Sequence, residues 1–311
     1  MTNLRTKGFF HLALVYLIWG STFLGIRFAV RGEGGFPPYM LAAIRVGIAS
    51  LFMFSACVIS GKSLRLTRIT FSQLLLTGTL LWVGGHAWVI WGAQKADSGY
   101  AALLFGATPL WAVLFEFIIH KKKLSPISIL SVLLGFGGII CLSLPGLLAS
   151  AANSNSPDLL TFLALSLAPA SWALGSVVQA DKLSEVPALV SASYQQFFAA
   201  IVCGILSFVF SEQIPSPSKE AWIGLSYITL LGSVVAFYSF TRALQILPSS
   251  IVMSFAYVNP VIAVILGYFW VNEQITIWTI SGMTLIITGV VFLLRSDKEH
   301  LANSELEHGN I

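Results

Sequence analysis

The sequence predicts an all-α integral membrane protein, with ten transmembrane helices in an inverted 5+5 repeat and both termini cytoplasmic. Three observations lead there. The 311 residues are 56% hydrophobic and only 10% charged, at a mean hydropathy of +0.84, whereas a soluble domain carries about 25% charged residues. The apolar residues gather into ten continuous runs, split five and five by a linker over 145–158. Landmarks recur about 150 residues apart, Trp19 answering to Trp172 and Pro109 to Pro260. An odd number of crossings per half sends the second half into the membrane from the opposite side, the architecture of alternating-access transporters.

The first five-helix repeat, 9–144, holds runs at 9–30, 38–60, 70–93, 98–119 and 125–144. The second, 159–295, holds runs at 159–180, 187–210, 221–241, 249–271 and 276–294. Each is near the length needed, since about 20 helical residues at about 1.5 Å each cross a hydrocarbon core of about 30 Å. The runs are continuously apolar rather than alternating, which argues against a β-barrel. The first run is too long for the apolar part of a cleaved signal peptide. The linker PGLLASAANSNSPD is small and polar, without Lys or Arg, and reads as an external loop. Residues 296–311 read as a short disordered cytoplasmic tail.

Basic residues fix the orientation. With the N-terminus inside, the cytoplasmic side holds Arg5, Lys7, Lys62, Arg65, Arg68, Lys121, Lys122, Lys123, Lys182, Arg242, Arg295 and Lys298. The outside holds only Arg31, Lys95 and Lys219. That is the positive-inside asymmetry, and it puts both termini in the cytoplasm; the absence of N-x-[ST] sequons fits a multi-pass protein of a bacterial inner (plasma) membrane.

Several function classes drop out. The short connections leave no room for a catalytic or nucleotide-binding domain, and neither G-x-x-x-x-G-K-[ST] nor H-E-x-x-H occurs. No enzyme is expected. Cys57, Cys141 and Cys203 lie singly within runs and read as small packing residues, so no metal and no cofactor are predicted. The basic residues sit in loops rather than on one face, which excludes a nucleic-acid partner. The expected partners are a small-molecule solute and membrane lipid, with the oligomeric state left open.

The candidate site residues lie deep in the runs. Pro109, Pro169 and Pro260 fall near mid-run, where a proline removes a backbone donor and is expected to kink the helix as a gate. Trp19 and Trp172 are too deep for interfacial anchoring, and read either as core or as cavity walls that offer an indole N–H. Ser21 and Thr22 add hydroxyls beside Trp19, or bond their own helix backbone. Trp82 and His86 share the third run, His86 at about 10 Å from its outer end. An ionisable residue at that depth is a functional candidate, and His86 leaves proton coupling open. Arg45 lies at similar depth, and Arg27 is shallower. These charge contacts favour a carboxylate-bearing or anionic solute, unless Arg45 is structural. Tyr238, Tyr257 and Asn259 form a second polar group. Glu116 reads as snorkelled or paired with a nearby lysine.

Taken in order, several of these positions resemble the EamA family of the drug/metabolite transporter superfamily. The run Tyr16-Leu17-Ile18-Trp19-Gly20-Ser21-Thr22-Phe23 carries the resemblance, with Pro38 and Arg45, then Ala93 and Pro109. The second half adds Ala243-Leu244, Pro248-Ser249, Asn259-Pro260, Val271-Asn272-Glu273, Ile275-Thr276, Gly282 and Gly289. The first half departs from it where His120 meets three lysines instead of Asn-Glu. The resemblance implies ten helices, a central cavity and export of small metabolites, often amino acids.

The function expected is therefore transport of small organic metabolites, most of all amino acids, by alternating access through a cavity lined by Trp19, Ser21, Thr22, Trp82, His86, Trp172, Tyr238, Tyr257 and Asn259. The alternatives are a translocator of lipid or polyprenol-linked carriers and a proton-coupled drug exporter. The absence of any acid in the first run weakens the last.

Overall fold

A computed structural model describes residues 2–30, 34–93, 104–121, 125–152, 159–271 and 276–308. Among these residues the secondary structure is wholly helical. In the first half, α1 is Thr2–Val30 and α2 is Pro38–Ile59. Next, α3 (Arg68–Gly78) widens into a π-helical segment, π1 (Thr79–Ala87), and ends as α4 (Trp88–Ala93). The half closes with α5 (Thr108–His120) and α6 (Pro126–Ala152). The second half opens with α7 (Leu159–Lys182) and α8 (Ala188–Val209). Then α9 (Lys219–Tyr227) passes through π2 (Ile228–Ala236) into α10 (Phe237–Leu244). It closes with α11 (Ser249–Val252), α12 (Phe255–Val271) and α13 (Ile277–His308). Six of these stretches are long and apolar enough to cross a membrane, and shorter apolar helices accompany them.

Local signals set these boundaries, and they recur between the halves. Both α2 and α8 begin directly after a proline, Pro37 and Pro187, whose fixed φ suits a helix start. Both are followed by a left-handed residue, Gly61 at φ 65° and Ser211 at φ 51°. The hydroxyl of Thr67 caps α3 by accepting from Thr70 N, and Ser218 caps α9 by accepting from Ala221 N, each at 3.1 Å. Each nine-residue π-helical segment then falls in the same place. A π-helix is rare and is found mostly as one wide turn near functional sites. Here the wide turns let the opposite half approach, as described below.

The halves exchange partners. The first helix, α1, packs along α9, π2, α10 and α12 of the second half. Its counterpart α7 packs along α3, π1, α4 and α5 of the first. Two further pairs complete the assembly, α2 on α8 and α6 on α13. Glycines set the second contact. A Cβ on Gly138 would stand 2.7 Å from Gly282 O, and one on Gly289 would stand 2.6 Å from Ser131 O. In a membrane, where packing rather than water drives association, such close backbones hold helices together.

Burial is inverted relative to a soluble protein. Gln195 and Gln196 are fully enclosed, while Phe208 and Ile59 are 85% and 86% exposed. A surface of this kind faces lipid. The centre is a cluster of rings: Trp19, Trp82, Trp172, Phe237, Phe240 and Phe255.

Two segments differ from the sequence reading. Helix α6 runs to Ala152, into the predicted loop over 145–158, of which 153–158 lie outside the described residues. Helix α13 runs to His308, through much of the tail predicted to be disordered, because no Pro or Gly stands between Gly289 and Gly309.

Candidate functional site

The two deep tryptophans sit where the halves interlock. Trp19 lies on α1 and donates from Nε1 to the carbonyl of Gly232, in π2, at 2.9 Å. Trp172 lies on α7 and packs on Gly85, in π1, where an added Cβ would stand 2.9 Å from its ring. The carbonyls of the wide turns are met by side chains from the rest of the molecule. Ser171 Oγ donates to Leu80 O at 2.8 Å, and Gln196 Nε2 donates to Ser233 O at 3.1 Å. Trp19 and Trp172 meet edge to face, with centroids 5.5 Å apart, and Phe255 lies 4.8 Å from Trp19.

Next to this pair is a cationic cluster. Arg45, on α2, is 2% exposed. Its Nε donates to Ser233 Oγ at 2.7 Å, and its Nη1 donates to His86 Nε2 at 2.6 Å. The guanidinium carbon lies 5.2 Å from the centre of the Trp82 ring, a cation–π arrangement. The Trp82 ring also meets His86 at 5.3 Å and Phe237 at 4.9 Å. An arginine can only donate, so Nε2 of His86 is an acceptor and this imidazole is neutral, with its proton on Nδ1. The guanidinium has no carboxylate partner among the described residues; its contacts are Ser233, His86 and the ring.

Several buried polar atoms lack a protein partner among the described residues: Nε1 of Trp82 and of Trp172, Oε1 of Gln196 and Oδ1 of Asn259. Asn259 lies one helical turn beyond Phe255 on α12, on the face that reaches the tryptophans. Deeper toward the predicted cytoplasmic side, Gln195 Nε2 donates to Thr77 Oγ1 at 2.8 Å and to Gln179 Oε1 at 2.9 Å. Buried polar groups are nearly always satisfied by protein or by ordered water, so each of these atoms is open to a water or a polar group of a solute.

The other predicted residues lie elsewhere. Thr22 Oγ1 donates to Trp19 O at 2.8 Å, and Ser21 Oγ donates to Ile18 O at 2.8 Å. Both hydroxyls thus serve their own helix, as short polar side chains do in apolar surroundings. Ser21 also bonds Tyr227 Oη at 2.7 Å, and lines a separate apolar cavity of about 300 Å³ with Gly25, Phe28, Ile223, Gly224, Tyr227 and Leu266. Tyr257 is turned toward α6, where its hydroxyl donates to Val132 O at 3.0 Å over Gly135. Tyr238 meets His11 at 5.8 Å, toward the start of α1.

Pro109 corrects the expectation of three mid-helix kinks. It stands in the first turn of α5, after a break at Gly106 and Ala107. There its missing N–H would have had no partner in any case. Thr108 Oγ1 takes up the Phe105 carbonyl at 2.6 Å. Pro169 and Pro260 do lie within helices, α7 and α12. The Arg27 side chain and Glu273 lie outside the described residues. Glu116 accepts from the backbone of Ser250 at 3.3 Å, so it joins α5 to the start of α11. The sequence reading missed Gln195 and Gln196, although adjacent amides inside an apolar run must face inward.

Comparison with known proteins gives the family. The model of the EamA-like transporter family matches twice, over residues 6–144 and 159–295. The chain belongs to the EamA-like transporter family. It is similar to the inner membrane transporter YedA of Escherichia coli, at 29% identity over 283 residues, covering 90% of this chain and 86% of that one. The transporter YoaV of Bacillus subtilis is 24% identical over 279 residues, covering 89% of this chain and 92% of its own. The S-adenosylmethionine uptake transporter of Rickettsia conorii is 26% identical over 263 residues, covering 84% of each chain. A solved crystal structure shares the fold, with a TM-score of 0.76 at 18% identity, over 94% of this chain and 96% of that one. As an EamA-like protein, this chain is a multi-pass integral membrane transporter and not an enzyme.

Proposed function

We propose that this EamA-like transporter crosses the bacterial inner membrane ten times, as two five-helix repeats (9–144 and 159–295) inserted in opposite senses with both termini cytoplasmic. It carries small organic metabolites, amino acids above all, outward by alternating access. The solute binds where the halves interlock, against Trp82, Trp172 and Asn259. The single observation that carries this reading is the reciprocal seating of α1 on π2 and of α7 on π1. Two halves that exchange equivalent contacts have two equivalent ways to close, which is what alternating access requires. The repeated caps and π-helical segments support it, as does the lysine and arginine asymmetry. The test is counterflow of labelled amino acids in proteoliposomes, with S-adenosylmethionine included, with and without a pH gradient. Saturable exchange that survives collapse of the gradient supports facilitated transport. Exchange that needs the gradient supports proton coupling through His86. No exchange of any solute rejects the assignment.

The cavity of about 300 Å³ between α1 and α9 favours a second reading, movement of lipid or a polyprenol-linked carrier, because its walls are nearly all apolar. Scrambling of labelled lipid in the same liposomes, absent from protein-free vesicles, is the result that reading requires.

A further inference from the structure

We infer that the solute is recognised through a carboxylate, which binds at Arg45 with the indole N–H of Trp82 as a second donor. This rests on the transport reading above and names the chemical class that the same site takes.

The charge of Arg45 has no anion beside it among the described residues. Arg45 is 98% buried by its exposure of 2%, on a helix that faces lipid. An arginine does not shed its proton, so the charge stays. Burying it is expensive unless an anion or a full set of acceptors meets it. The protein supplies Ser233 Oγ, His86 Nε2 and the Trp82 face, all neutral. No carboxylate among the described residues joins them. A protein that needed only a fixed arginine could have placed an acid beside it, as buried ion pairs do.

A second observation is independent of charge. The Trp82 indole, 2% exposed, has its N–H without an acceptor among the described residues, and so has that of Trp172, whose ring centroid lies 6.1 Å away. The surplus in this cluster is therefore of donors. A carboxylate is acceptor-only and planar, and can take a guanidinium and an indole N–H together. An amine or a quaternary ammonium would meet donors and a like charge. Acceptors without a partner among the described residues include Gln196 Oε1, on the amide that also bonds the Ser233 carbonyl, and Asn259 Oδ1. They suit an ammonium on the same solute.

His86 then has a defined part. It occupies Nη1 of Arg45 and is less enclosed than the arginine. A carboxylate that replaces it frees the imidazole to turn away. The charge is never left without a partner during the exchange.

The experiment uses the full-length protein in detergent and the same preparation in liposomes. Thermal unfolding is followed with acetate, benzoate, leucine, phenylalanine and glutamate. The controls are acetamide, benzamide, isoamylamine, phenethylamine and sodium chloride at matched ionic strength. Carboxylates are expected to raise the wild-type midpoint by a few degrees at concentrations well above their Kd, and the controls are not. Arg45→Gln is expected to abolish the difference. Should that variant fail to fold, Trp82→Phe keeps the ring, removes the N–H, and is expected to weaken carboxylate binding about two- to tenfold. Amides, amines or chloride matching the carboxylates overturns the proposal. So does full carboxylate selectivity in folded Arg45→Gln, unchanged carboxylate affinity in Trp82→Phe, or no carboxylate effect at all. Flux of a cationic or neutral solute that Arg45→Gln leaves intact also removes the carboxylate site, while the transport reading stands. Carboxylate stabilisation without flux of any solute keeps the site and removes the transport reading.

Discussion

Replacing Trp19 and Trp172 by Phe, one at a time, separates a structural tryptophan from one that serves the solute. Their rings lie 5.5 Å apart in one aromatic cluster, 7% and 3% exposed. Trp→Phe removes the same atoms from the same surroundings, so the packing losses largely cancel between the variants. The indole N–H does not cancel. That of Trp19 is bonded to Gly232 O at 2.9 Å, and that of Trp172 has no acceptor among the described residues. Losing a bond between membrane helices and leaving a buried carbonyl unpaired costs about 1–2 kcal/mol. Trp19→Phe is therefore expected to unfold about 2–6 °C below Trp172→Phe, followed by intrinsic fluorescence or tag-based thermal denaturation in detergent. The order reverses in transport. If Trp172 donates to the solute, its loss raises KM about two- to tenfold with little change at saturation, while Trp19→Phe leaves KM near wild type. Equal thermal midpoints, or a KM effect confined to Trp19→Phe, would refute the assignment of the two N–H groups.

Four further outcomes follow from how the helices meet. Gly138→Val places carbon where Gly282 O already stands, so the α6–α13 pair must part; overpacking of this kind costs about 1–3 kcal/mol. Gly137→Ala meets nothing within 4 Å, so in the same denaturation assay it is expected to match or exceed wild type. Tyr257→Phe loses its bond to Val132 O, and is expected to cost about 1 kcal/mol and leave counterflow kinetics unchanged, because the hydroxyl faces α6; a large rise in KM would return Tyr257 to the cavity. Glu212→Ala removes the carboxylate that accepts from Tyr39 N at 2.9 Å and Met40 N at 2.7 Å, and is expected to lower stability by about 1–2 kcal/mol. An unchanged midpoint there would mean that α2 begins well enough on Pro38 alone.

The membrane class and the family were legible because they rest on local or summed properties. Hydropathy is additive along a run, and the landmarks Trp19 and Trp172 need no knowledge of facing. Facing is where the sequence fell short. Ser21 and Trp19 are two residues apart, about 200° around a helix, and the structure turns Ser21 to the apolar cavity beside Tyr227 while Trp19 enters the core. Tyr257 and Asn259 differ in the same way. Pro109 was misread for another reason. A proline at mid-run marks either a kink or a fresh helix start, and only the break before Thr108 decides between them. The wide turns left no mark in composition, since TLLWVGGHA and ITLLGSVVA resemble neighbouring apolar stretches.

Arg45 and His86 show what a single chain can and cannot say about a buried charge. Their depths, each about 10 Å from the outer side, could be counted from the run ends. From that count they looked like separate positive groups lining a cavity. The structure makes them one unit, in which the arginine donates and the histidine accepts. This changes the consequence for coupling. A proton added to Nε2 would have to displace the guanidinium and stand beside its charge, so protonation there and the Arg45 bond exclude each other. A solute carboxylate has the opposite relation: it relieves the arginine and releases the histidine. Any pH dependence of transport that acts through His86 must therefore vanish together with the Arg45 bond. Counterflow by His86→Gln, whose amide oxygen can still accept from Nη1, is expected to be as active as wild type and flat in pH. Loss of activity in His86→Gln with Arg45 still in place would mean that the imidazole does more than cover the guanidinium.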